Sequence, residues 1–212
     1  MTGTKQQGGF TLIEIAIVLV IVGLLLGGIL KGQELITQAK IRNVVNDFNG
    51  TSAAYYAYQD RYRAIPGDDI NAATRWTNPQ ATAGDGNGSI SGNYNATAGA
   101  ESAYFWQDLR LSGLIAGAGT DTAPPQNAAS GITGVQNGAL GFAGLVVCSS
   151  NLPAKIAQAV DSQFDDGNAM TGQVKAEMAA NTASNAPAVG NTVPVTNYVD
   201  NGTNVYIVCK NI

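Results

Sequence analysis

Glu14 is the only charged residue between Phe10 and Leu30, a run that reads FTLIEIAIVLVIVGLLLGGIL. A lone carboxylate on such a segment is costly, about 2.5–3.5 kcal/mol at the centre of a bilayer and less toward its edge. It needs a cation or the headgroup layer beside it. The other residues with chemistry in them are few. There is no histidine, which removes Ser-His-Asp and Cys-His catalysis and every His-ligated metal. Cys148 and Cys209 are too few for a zinc ribbon or an iron–sulfur cluster. Two acidic turns, Asp85-Gly86-Asn87-Gly88 and Asp165-Asp166-Gly167-Asn168, offer the hard oxygen ligands that calcium takes. Neither completes a calcium loop with its distal Glu, and Asp or Asn beside Gly is an ordinary turn former. Structural turns are the expectation, with Asp85, Asn87, Asp165 and Asp166 as weak calcium candidates and no other cofactor. Asp68-Asp69 are adjacent on a turn, where side chains diverge, rather than paired for acid–base work. The glycine-rich stretch 84–92 lacks the Lys-Ser/Thr pair of a phosphate-binding loop. No enzyme constellation remains. A formal charge of −4 and a pI near 4.6 give no basic footprint, so nucleic acid is not an expected partner.

The elements that must carry these residues follow from composition and period. The chain has 212 residues with 26 glycines, 7% aromatics and 12% charged residues, enough for one domain plus an appendage with a modest core and long loops. Residues 10–30, as a helix, would be about 31 Å long, close to the hydrocarbon thickness of a bilayer. A buried core helix does not fit the length and all-round apolarity. A secretory signal peptide would have a shorter apolar region and a small-x-small cleavage site. From Gly32 to Tyr62 there is no loop signal. Ile41, Val44, Val45, Phe48, Ser52, Tyr55, Tyr56, Gln59 and Tyr62 recur at helical spacing, and Tyr55, Tyr56, Tyr58 and Tyr62 read as core and rim packing. The helix is expected to stop before Pro66-Gly67. A rod from Thr11 to Tyr62 would be about 78 Å long.

Beyond it, Asp68-Asp69 can cap a short helix through Trp76, and a second short helix is expected over 101–112, stopped by Gly113. Residues 78–100 and 116–139 read as loops. Strands are expected at 140–149, 172–178 and 203–210, with a helix over 150–163 that has Pro153 near its first turn. This order is α+β: a long helix packed against a small antiparallel sheet. No internal repeat is present.

The N-terminal residues carry a resemblance. A short polar segment ends in Gly8-Gly9 and is followed by Phe10-Thr11-Leu12-Ile13-Glu14. This GFTLIE pattern resembles the class III signal of type IV prepilins and type II secretion pseudopilins. The resemblance implies cleavage between Gly9 and Phe10 by a prepilin peptidase, N-methylation of Phe10, and a role for Glu14 in assembly. The α-amine of Phe10 on a neighbouring subunit would then be the cation that Glu14 needs, neutralising both groups in a filament core and fixing axial register. Snorkelling of Glu14 to the headgroups is the alternative. The implied organisation is a leader at 1–9, a transmembrane and filament-core helix at 10–30, an amphipathic continuation at 31–64, and an α+β head at 65–212 in a lollipop arrangement. Lys5 precedes the span while Lys31, Lys40 and Arg42 follow it, so the positive-inside rule alone would favour the opposite orientation. The processing pattern and the cysteines place the long C-terminal part outside. Gly23-xxx-Gly27 and Gly28-xxx-Gly32 permit close helix approach, and the family suggests local extension within 23–28 in the filament.

An even cysteine pair in an exported domain implies a Cys148–Cys209 disulfide, with two free thiols as the alternative. The pattern IPGDD (65–69), Trp76, GDGNG (84–88), Glu101, Trp106, Leu109, then FDDGN (164–168) and Thr171-Gly172, is loosely similar to prepilin-like heads. The resemblance implies a structural filament subunit. It would wait in the bacterial inner membrane with its head in the periplasm, then enter an extracellular or periplasmic homo-oligomeric filament. Its partners would be other pilins or pseudopilins, the prepilin peptidase and an inner-membrane assembly platform. The alternatives are a type II secretion pseudopilin or minor pilin, and a membrane-anchored periplasmic binding protein that never polymerises.

Overall fold

The computed structural model describes residues 11–179 and 190–212. The chain divides into two compact units, one ending at Ala39 and one beginning at Lys40. Helix α1 spans Leu12–Tyr62.

In the first unit every residue from Thr11 to Lys31 is exposed. The most apolar eighteen-residue window has a mean hydropathy of 2.8 and none of it is buried, so the helix is long and apolar enough to cross a membrane. Water-soluble surfaces rarely carry a contiguous apolar area of that size. The helix runs unbroken through Gly23, Gly27, Gly28 and Gly32, each of which has open space where a Cβ would stand.

In the second unit α1 buries Ile41, Val44, Phe48, Thr51, Ala54 and Tyr58, a stripe at spacings of three and four. The stripe differs from the sequence expectation at its far end. Thr51, Ala54 and Tyr58 turn inward, whereas Tyr56 is 55% exposed. At about 100° per residue Tyr55 and Tyr58 share a face and Tyr56 lies off it. The helix ends as Arg63 takes a left-handed φ of 55°, ahead of Pro66.

Two short helices follow, α2 (Ala72–Arg75) and α3 (Glu101–Leu111), the latter stopped by Gly113 at φ 72°. The sheet contains β1 (Thr133–Asn137), β2 (Leu145–Pro153), β3 (Val174–Ala179) and β4 (Val205–Asn211) in the order β1-β2-β4-β3, antiparallel throughout. Helix α4 (Ala154–Phe164) connects β2 to β3 and begins directly after Pro153.

Three expectations need correction. Residues 116–139 are not all loop, because Thr133–Asn137 is an edge strand. Its sequence TGVQN lacks the β-branched run of a strand, yet Gly134 is required there: a Cβ would overlap the Tyr94 carbonyl. The second strand starts at Leu145 rather than Leu140. Leu140, Gly141 and Gly144 all have positive φ and form the turn that returns β1 into β2. That strand also continues through Ser150 to Pro153, so α4 starts four residues later than the expected 150.

Alternation along the strands separates two cores. Val147 and Leu152 of β2 with Tyr206 and Val208 of β4 join α1, α3 and α4 around Phe48, Phe105, Trp106 and Leu109. Val146, Cys148, Ile207 and Cys209 face the other way, onto Tyr94, Ile132 and Leu140.

Candidate functional site: the N-terminal segment and the acidic turns of the head

Gly9 and Phe10 lie outside the described residues. Glu14 is described, in the first turn of α1. Its Oε2 accepts from the Thr11 backbone N–H at 2.8 Å and from Thr11 Oγ1 at 2.7 Å, and the Glu14 N–H reaches back to Thr11 Oγ1 at 3.3 Å. This reciprocal Thr-x-x-Glu arrangement is a capping box, which satisfies helix-end N–H groups that hydrocarbon would leave bare. A carboxylate here also suits the positive end of the helix dipole. Ile13, Ala16, Ile17, Val20 and Ile21 line an apolar groove on the same stretch, and each is exposed among the described residues.

Cys148 and Cys209 are bonded to each other across directly opposed positions of β2 and β4. Both are fully buried, and the bridge links residues 61 apart in sequence.

The two acidic turns each close on carboxylates that the sequence reading did not single out for them. Asp68, Asp85 and Glu101 bring one oxygen each within 4.8 Å of one another, and so do Asp161, Asp165 and Asp166. The oxygens are heavily committed to backbone donors. Asp68 Oδ1 accepts from Gly86 N at 2.6 Å and Asn87 N at 3.1 Å, and Oδ2 from Gly88 N at 2.7 Å. Glu101 accepts from Asp85 N through Oε1 at 3.0 Å and from Ser91 N through Oε2 at 2.8 Å. The GDGNG loop is therefore wrapped around two carboxylates, with its N–H groups turned inward. Asn87 donates to Asp85 and is exposed rather than gathered with the acids. In the second turn Asp161 accepts from Gly167 N at 3.2 Å and from the Tyr198 hydroxyl at 2.8 Å, and Asp165 accepts from Gln173 N and Val174 N. Burial raises the Asp161 pKa above its usual range. Three carboxylates per turn could supply hard oxygen ligands, but in each the lone pairs already serve the loop.

These contacts explain the loose pattern from Ile65 to Leu109. Gly67 has a φ of 86° and sits on the first turn of α3, where a Cβ would overlap the Glu101 carbonyl and lie 2.8 Å from Phe105 N. Asp68 holds the 86–88 backbone, and Asp69 turns away to accept from Tyr58 at 2.8 Å. Their side chains diverge, as adjacent turn residues do.

The description that matches this chain is the prokaryotic N-terminal methylation motif, over residues 4–30. The chain carries this N-terminal methylation motif. That motif spans the Gly9-Phe10 junction, Glu14 and the exposed apolar part of α1. No curated protein matches the chain. Among solved structures it is similar to the major type IV pilin PilA1 from Clostridium difficile. That likeness has 16% identity and a TM-score of 0.37, and covers 82% of this chain and 96% of that one.

Proposed function

We propose that this chain is a structural subunit of a type IV pilus or pilus-like filament, anchored in a membrane through its N-terminal helix until it is assembled. The observation that carries the reading is the methylation motif placed directly on a helix whose residues 12–30 are all exposed among the described residues. Burying that face against lipid first and sister helices later satisfies it in both states. A peptidase removes residues 1–9, and Phe10 becomes the methylated N-terminus. Glu14 then meets the Phe10 amine of a neighbour. The Thr11–Glu14 capping box supports this step, because it holds the carboxylate at the helix end, where that amine would arrive. The head lies outside the inner membrane, and the action of the molecule is assembly rather than catalysis.

The test is mass spectrometry of the N-terminus from sheared surface filaments, beside a Glu14→Ala variant. Methylated Phe10 at the start of the chain, with filaments lost in the variant, is the expected result. An intact leader in cells with active peptidase, or normal filaments from Glu14→Ala, overturns it.

A further inference from the structure

Where the 65–69 turn meets α1 and α3, two buried carboxylates, Asp69 and Asp108, lie beside the guanidinium of Arg75. Asp108 on α3 is completely buried and Asp69 of the 65–69 turn is 1% exposed. Tyr58 of α1, also fully buried, donates its hydroxyl to Asp69 Oδ2 at 2.8 Å. Arg75 of α2 pairs with the same oxygen, and its guanidinium stacks on Tyr62 with 4.4 Å to the ring centroid. Asp69 is thereby matched, with Oδ1 accepting the Asn71 N–H at 2.8 Å.

Asp108 is not matched. Its Oδ2 accepts the Gly67 N–H at 2.7 Å, and its Oδ1 has no hydrogen-bond partner. The groups facing it are Tyr58 from α1, Asp69 from the turn and Arg75 from α2. Two ionised acids beside one arginine would leave a net negative charge on carboxylates that are themselves buried, a cost of several kcal/mol. The cheaper state carries a proton on Asp108. Burial raises the Asp108 pKa to about 7, with Asp69 adding to the rise and the Gly67 N–H, Arg75 and the Tyr58 hydroxyl opposing it.

We propose that Tyr58, Asp69, Arg75 and Asp108 form a proton-operated latch, in which neutral Asp108 keeps the 65–69 turn seated on α3 and ionised Asp108 releases it, because a buried carboxylate regains water only when the turn opens and that gain outweighs its stronger bond from the Gly67 N–H. The seat is Gly67, whose backbone touches the first turn of α3 so closely that no side chain fits between them. The released turn carries Asp68 with it, and Asp68 holds residues 86–88. One deprotonation therefore loosens two loops and the end of α1 together. For a head exposed outside the cytoplasm this couples the helix–head joint to ambient pH. The latch concerns the head alone, so its failure would leave the filament reading standing.

The experiment uses the full chain in detergent micelles with 13C-labelled aspartate carboxyls, titrated from pH 4 to 9. One signal, absent in Asp108→Asn, is expected to titrate near pH 7 rather than near 4. Hydrogen exchange of the 63–71 backbone, corrected for intrinsic rates, should then rise about ten-fold between pH 6 and 8 in the natural chain and stay flat in Asp108→Asn. Asp69→Asn should move the Asp108 midpoint down, which simple burial of Asp108 would not do. A midpoint of the ordinary aspartate kind, or equal pH slopes in both chains, overturns the latch.

Discussion

Replacing both bridging cysteines, Cys148→Ala with Cys209→Ala, should cost the head about 4–6 kcal/mol. The bridge closes a 61-residue separation, for which chain entropy predicts about 4 kcal/mol of restraint on the unfolded state. Both sulfurs are also buried beside Val146, Ile207 and Leu140, and losing each should cost about 0.8 kcal/mol, as for a buried methylene. The native sheet itself should survive. Positions 148 and 209 remain opposed by their backbone, with Val147 paired to Lys210 and Ser149 to Val208 on either side. The assay is urea unfolding of the full chain in micelles, followed by fluorescence of Trp76 and Trp106. The chain has two tryptophans, and both report on the head rather than on residues 12–39. The corresponding fall in Tm is roughly 10–20 °C for a protein of this size. Reductant added to the native protein should act only as fast as the head unfolds, since neither sulfur is exposed. A loss below about 1 kcal/mol would refute the reasoning, because it would mean that the unfolded chain gains little freedom when the bridge goes.

Global unfolding should show the Asp108 proton as well. An acid whose folded pKa is raised contributes stability that is complete below its unfolded pKa and is lost as pH rises through the folded value of about 7. The natural head should therefore lose about 4 kcal/mol relative to Asp108→Asn between pH 4 and 8, measured by urea titration at each pH. A parallel profile for the two chains would contradict it. Gly67→Ala should prevent stable folding of the head, because its φ of 86° and the Glu101 carbonyl both exclude a Cβ. Gly50→Ala, on α1 with open space around the new methyl, should stabilise by about 0.5–1 kcal/mol, and circular dichroism melts of the pair would show opposite signs. Millimolar calcium should leave the melting temperature of the full chain unchanged, because Asp68, Glu101 and Asp165 already serve backbone donors; a rise of several degrees would show that the acidic turns take the ion.

The sequence was most legible where one period ran long. Helix α1 declares itself by unbroken apolarity and then by spacings of three and four, and only the inward rotation of Tyr58 over Tyr56 needed the structure. Glu14 stands out because it is the one charge on an apolar run, although its capping bond to Thr11 needed the structure. The cysteine pair was legible because two cysteines allow one pairing, and the structure bonds Cys148 to Cys209. Strand β1 was hidden because its residues are chosen by close approach, Gly134 under Tyr94, rather than by strand preference. The acidic turns were visible as turns, but the partners that organise them, Asp68 and Glu101, lie 18 and 16 residues away from the amides they hold. Asp108 gave no signal at all. An aspartate in the helix YFWQDL looks like a solvent-facing residue until the fold encloses it.

The loop that wraps around Asp68 is specified from outside itself. Its backbone path depends on two distant carboxylates and on glycines at 86 and 88 with positive φ, while the side chains of Asn87 and Ser89 contribute only contacts within the loop and to Asn137. Such a segment separates shape from surface identity. Its outward residues are free to diverge, or to carry a grafted epitope or label, as long as the two anchor acids, Asp68 and Glu101, and the two glycines stay in place.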